Sequence, residues 1–268
     1  MKRFFFVITA LAVLFLIPLT GFFVSHSYRA PKGVDVEAGR ALLQDLDDAP
    51  LDEVKEKVAV IEQQKLEALA RAQRQLKTQE IISLIQGGQL SYRKALSDLY
   101  IAGDSLMAGL EVYDILNANH IFAEVSASLA HLETNLPKIE AKRPPILLLH
   151  YGLNMISTRD AQLTNFINRY TSILKQIQKD LPRTRIVVSL IFPVDRTKAT
   201  SPEFGRIDAY NNALKTMCES LGIEAFDSAP AFGGRTSFYG ADGIHVSAAF
   251  YRNEWLVHLI RELEIGAS

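Results

Sequence analysis

From Leu99 onward, short apolar runs alternate with longer amphipathic ones, five times over. The short runs Leu99–Ala102, Ile121–Val125, Ile146–Tyr151, Arg185–Phe192 and Ile223–Phe226 read as strands, being rich in Val, Ile and Leu and bounded by polar or turn residues. Between them, Leu106–Leu116, Ser128–Glu140, Asp160–Lys179 and Arg206–Leu221 carry helical spacing, and Ser247–Leu263 closes the chain as a further helix. Regular βα alternation predicts a parallel sheet covered on both faces, with right-handed crossovers. In such sheets the functional groups gather at the carboxyl ends of the strands.

Ahead of this region the pattern differs. Phe4 to Val24 is an unbroken apolar run behind Lys2 and Arg3. As a helix it would rise about 31 Å, enough to cross a bilayer core. The run is long for the apolar part of a signal peptide, and no A-x-A pattern follows it, so residues 1–27 are expected to be an uncleaved anchor rather than a cleaved signal. Lys2 and Arg3 would then stay in the cytoplasm, placing everything after Val24 on the far side of the inner membrane as a single-pass protein. Residues 28–50, with Pro31, Gly33 and Gly39, read as a linker.

Leu51 to Gln86 holds no Gly or Pro and is rich in Glu, Lys, Gln, Ala and Leu. Leu51, Val54, Val58 and Ile61 follow 3-4-3 spacing, and Leu66, Leu69 and Leu76 continue it less regularly, which predicts a helix of about 54 Å. Lys65, Ala68, Ala72 and Gln75 interrupt the heptad register. Two readings stand side by side: a coiled-coil stalk giving weak self-association, or a helix packed on the domain. Gly87-Gly88 ends the helix, so 51–90 is the expected stalk and 91–268 the expected domain.

Three short blocks carry the candidate chemistry. Gly103-Asp104-Ser105-Leu106 puts Ser105 at a strand-to-helix turn, with its hydroxyl at the sheet's carboxyl edge and its backbone N–H at a helix N-terminus. Tyr151-Gly152-Leu153-Asn154 follows the third apolar run, and Asp242-Gly243-Ile244-His245 precedes the last helix. A serine hydroxyl needs a neighbouring base to become a nucleophile. Imidazole can accept and return a proton near neutrality, which makes His245 the candidate base. Asp242, three residues earlier, can hold the other ring nitrogen. Each block alone could be an ordinary turn.

In this order the blocks resemble the SGNH/GDSL hydrolase superfamily, over roughly Leu99 to Leu263. The resemblance implies a flavodoxin-like α/β/α sandwich with five parallel strands in the order 2-1-3-4-5. It also implies a Ser105–His245–Asp242 triad working through an acyl-serine, and an oxyanion hole built from the Ser105 N–H, Gly152 and the Asn154 side chain. The family places a further glycine donor after its second strand; here Ala127, in Glu124-Val125-Ser126-Ala127-Ser128, aligns best with it. A β-carbon there costs energy if φ must be positive. Ser126 and Ser128 can compensate, or can cap the next helix.

Composition narrows the alternatives. The 268-residue chain has a net charge of −1 with mixed signs, which argues against a nucleic-acid partner. Its single cysteine, Cys218, excludes an internal disulfide and reads as a packing residue. No metal-ligand spacing, P-loop or dinucleotide fingerprint is present, so no metal or cofactor is implied. His150 reads first as a core histidine and second as a cleft residue, while His120, His131 and His258 read as structural or surface residues. The aromatic stretch Phe232 to Tyr239 is either a mobile loop beside the cleft or a packed connection. Together with the topology, the resemblance implies a serine esterase outside the cytoplasm. Its expected substrate is an ester of the cell envelope, carried on polysaccharide or lipid, with polysaccharide O-deacetylation foremost. An acyltransferase using the same triad, and a non-catalytic membrane-tethered scaffold, are the alternatives.

Overall fold

The computed structural model describes residues 35–47 and 51–266. The anchor expected at residues 4–24 lies outside them. Among the described residues no helix is long and apolar enough to cross a membrane. Within the expected linker, Val36–Asp47 is a helix (α1), capped by the Asp35 carboxylate, which accepts from the Glu37 and Ala38 amides.

The chain divides into two compact units, Met1–Glu67 and Ala68–Ser268. Helix α2, Leu51–Gln86, runs across the division. In the second unit its last turns are packed: Thr78 and Ile82 are buried, Ile81 and Ile85 lie against the core, and Arg74 pairs with Glu264. The C-terminal end of the expected stalk therefore belongs to the domain. Leu66, Leu69 and Leu76 are exposed.

The sheet has five parallel strands in the order β2-β1-β3-β4-β5: β1 Leu99–Gly103, β2 Ile121–Ala123, β3 Ile146–His150, β4 Arg185–Ser189 and β5 Glu224–Phe226. Central β3 reads Ile-Leu-Leu-Leu-His and is buried from Leu147 on, as a strand covered on both faces must be. Helices α3 (Ser105–Val112), α4 (Leu129–Lys142), α5 (Asp160–Asp180), α6 (Ile207–Leu221) and α7 (Leu256–Leu263) cover it. Cys218 is buried in α6, where burial pushes its thiol up to about 11.

The strands stop earlier than their apolar runs. Strand β4 ends at Ser189 because the Asn211 side chain takes over the next backbone groups, bonding both Ile191 N (2.8 Å) and Ile191 O (3.0 Å). Strand β2 ends at Ala123 because Glu124 turns the chain, with Ala127 N donating to Glu124 O. The closing helix is not continuous either. Ala248–Phe250 is a single turn, Tyr251–Trp255 is a π-helical turn, and α7 follows. The π turn seats Tyr251, which donates to Leu106 O, and Trp255, which donates to Ser228 Oγ at 2.9 Å.

Candidate active site

Asp104 lies between β1 and α3 and caps the helix, its carboxylate accepting from Leu106 N at 3.0 Å. Ser105 is therefore the first helical residue, with its N–H beyond the reach of any intrahelical acceptor. Its Oγ is 2.9 Å from His245 Nε2. On the other side of the ring, His245 Nδ1 lies 2.6 Å from Asp242 Oδ2. The second Asp242 oxygen accepts from Ile244 N (2.9 Å) and His245 N (3.0 Å), so one carboxylate shapes the turn and orients the imidazole. Partial burial pushes the Asp242 carboxyl up. The His245 hydrogen bond and the two amides together outweigh it, holding the group below the usual carboxylate range.

The loop carrying Asp242 and His245 is held from beneath by residues that the sequence motifs do not mark. Asp195 N donates to Gly243 O at 2.8 Å, and Lys198 Nζ to Gly240 O at 3.3 Å. Gly243 has φ +72°, and a Cβ there would stand 2.8 Å from Asp195 O. Asp195 is itself buried and locked by the Thr197 hydroxyl and amide. The π turn and α3 are also tied to each other. Besides the Tyr251 bond to Leu106 O, Tyr113 OH donates to Val246 O, directly after His245, and Arg252 donates to Tyr113 O. A serine and a histidine 140 positions apart are thus fixed across braced elements.

At the end of β3, Gly152 takes φ +141°, and a Cβ there would come within 2.6 Å of Ile191. Only glycine lets the chain turn at this point, and the turn presents Asn154 at the surface. One Asn154 amide hydrogen goes to Ala127 O at 3.1 Å, leaving the second for another acceptor.

Ala127 differs from expectation. Its N–H is already donated to Glu124 O at 3.2 Å and it is buried, so it has no free donor. The positive φ that glycine would serve falls one residue earlier, at Ser126 (φ +61°). Ser128 is the N-cap of α4, accepting from Ala130 N. A four-residue turn hides this offset from sequence, because which of its residues is left-handed depends on where β2 stops.

The remaining histidines are structural. His150 is fully buried, as first expected, with Nδ1 3.0 Å from Ser189 Oγ. His120 stacks on Tyr100, and His258 bonds Asp227 O. His131 bonds Tyr151 OH at 3.1 Å and lies 3.5 Å from Glu124, linking the turn after β2 to the end of β3. Phe232 to Tyr239 is a packed connection, with Tyr239 stacked on buried Phe232. Among the described residues no group of His, Cys, Asp and Glu could hold a metal ion.

A parallel α/β sheet bearing a serine, histidine and aspartate at hydrogen-bond spacing on the carboxyl side of its strands defines an α/β serine-hydrolase class of protein. The family model of the GDSL-like lipase/acylhydrolase family matches residues 101–252, more than half the chain, and the protein belongs to that family. It is accordingly a serine esterase of the SGNH/GDSL superfamily, acting on carboxylic ester bonds. No curated protein sequence matches significantly. Among solved structures, a protein designated an acylhydrolase from Bacteroides fragilis is similar at 12% identity and TM-score 0.50, covering 62% of this chain and 85% of that one. The acetylxylan esterase Axe2 of Geobacillus stearothermophilus shows 14% identity and TM-score 0.46, covering 63% and 93%. A protein from Streptococcus pneumonia named for platelet activating factor shows 18% identity and TM-score 0.49, covering 78% and 99%.

Proposed function

We propose that Ser105, His245 and Asp242 are the catalytic triad of this esterase. The unbroken chain from Ser105 Oγ through the imidazole to Asp242 carries the reading. Asp242 holds Nδ1 protonated, so Nε2 presents its lone pair to the serine hydroxyl. His245 takes the hydroxyl proton as Oγ attacks the acyl carbon, then returns it to the departing alcohol. Water, activated by the same imidazole, next cleaves the acyl-serine. The tetrahedral oxyanion is held by the Ser105 N–H at the N-terminus of α3, the free Asn154 amide hydrogen and the Ser126 N–H, which takes over the role first expected of Ala127. Gly152 shapes the approach rather than acting on the substrate. In Ser105→Ala, ester turnover and covalent labelling by a fluorophosphonate disappear while the folded state persists. Full labelling of that variant would move the nucleophile elsewhere.

The substrate we favour is a short acyl ester on an envelope polysaccharide, which rests on the expected topology and the family. Transfer to a sugar hydroxyl instead of water uses the same groups and is the alternative. The inner-membrane placement is tested by adding protease to spheroplasts. A retained membrane-bound fragment with Lys2 and Arg3 supports an anchor, whereas a mature soluble chain starting near Tyr28 shows a cleaved signal.

A further inference from the structure

Directly behind the nucleophile, the Asp104 side chain is completely buried. One carboxyl oxygen caps α3 through Leu106 N, while the other, Oδ2, has no hydrogen-bond partner. A buried carboxylate normally gathers two or three donors or a cation, because desolvating an uncompensated charge is far more costly than protonating it. The Asp104 carboxyl has the Leu106 amide and its own backbone amide, both serving the same side, and, among the described residues, no ion pair.

Two histidines and two phenols face it. From β3 comes His150, aligned with Gly103 in the sheet register and itself fully buried. Ser189 Oγ donates to Leu190 O at 3.2 Å, which leaves it to accept from His150 Nδ1–H at 3.0 Å. Burial holds His150 below the ordinary imidazole range; an ionised Asp104 would oppose this, a neutral one would not. Tyr151 at the end of β3 and Tyr251 in the π turn also face Asp104. Both phenols are pushed up, first by burial and then by Asp104. His245, whose ring bonds Ser105, is the remaining titratable neighbour.

We propose that Asp104 is a neutral carboxylic acid in the working enzyme, a positioning residue that caps the nucleophile helix without placing a negative charge behind the oxyanion hole. It touches neither substrate nor reacting atoms. An ionised carboxylate at this position would oppose the charge that develops on the oxyanion and cancel the positive potential at the start of α3. Burial raises the Asp104 carboxyl, with His150, the Leu106 amide, His245 and its own amide pulling the other way. A group raised in the folded state stabilises the fold fully below its unfolded value. That contribution is lost as pH rises through the folded value. Stability should therefore fall with rising pH from the ordinary carboxyl range up to the folded value and level off above it, whereas turnover should fall only as Asp104 itself ionises.

The inference rests on the triad reading for its catalytic meaning, so its test includes a readout that needs no turnover. Full-length protein carrying ¹³C-labelled aspartate is titrated, and the Asp104 carboxyl resonance is assigned as the one missing from Asp104→Asn. If that variant fails to fold, Asp104→Ser, which keeps a capping oxygen, provides the assignment. The expected result is a protonated carboxyl at pH 7 that ionises only on the alkaline side. A resonance already at its ionised position at pH 7 overturns the proposal, whatever Ser105→Ala shows. In kinetics, the ratio of kcat at alkaline pH to kcat at neutral pH should be on the order of tenfold higher in Asp104→Asn than in the native protein. An unchanged ratio also overturns it.

Discussion

In the proposed oxyanion hole Asn154 and Ser126 serve by different means, and that difference can be measured. Asn154 gives one amide hydrogen to Ala127 O, and in the proposed mechanism the other goes to the oxyanion. Asn154→Ala removes a donor that bonds chiefly in the transition state, so kcat should fall on the order of 10²–10³-fold with KM little changed. Ser126 contributes only backbone and bears a β-carbon in a left-handed conformation (φ +61°) that glycine would adopt freely. Ser126→Gly should keep kcat within a few-fold and change stability by about 1 kcal/mol or less. A pure KM effect in the first variant, or a hundredfold loss of kcat in the second, would remove the respective residue from the hole.

The distance between serine and histidine is set by elements outside the motifs. Asp195 and Lys198 hold the turn from Gly240 to His245, and Gly243 lets backbone meet backbone at the contact. Gly243→Ala would force a side chain into a left-handed position against Asp195 O and Lys198. The strain is of order 1–2 kcal/mol before any clash, and a shift near 1 Å in the imidazole can cost about 10²-fold. The expected outcome is a kcat/KM lower by ten- to a hundredfold on p-nitrophenyl acetate, with cooperative thermal unfolding retained. Native activity in that variant would mean the turn does not set the triad geometry.

For the molecule as a whole, the second compact unit begins at Ala68, within helix α2. The last turns of that helix contribute Thr78, Ile81, Ile82 and Ile85 to the domain, with the Arg74–Glu264 pair beside them. A chain starting at Ala68 should unfold as cooperatively as the full protein. One starting at Gly88 loses those isoleucines and should be destabilised by more than about 3 kcal/mol, read as a lower Tm. Equal Tm for the two would show that the helix end lies on the domain without stabilising it.

The strand–helix alternation, the parallel sheet and the positions of Ser105, Gly152, Asn154, Asp242 and His245 were legible from the chain alone. They depend on local periodicity and on short blocks at strand ends, and both are written in neighbouring residues. The packed end of α2, the π turn at Tyr251–Trp255 and the left-handed residue at Ser126 rather than Ala127 were decided only in three dimensions. So were the Asp195 support under Gly243 and the solitary burial of Asp104. Each depends on what a distant segment presents: Leu106 O to Tyr251, Gly103 O to Glu124, a loop carbonyl to Gly243, a closed core over the Asp104 carboxyl. Periodicity reports which face of an element is apolar. It carries no information on which partner covers that face, and the partner sets both hydrogen-bond satisfaction and charge.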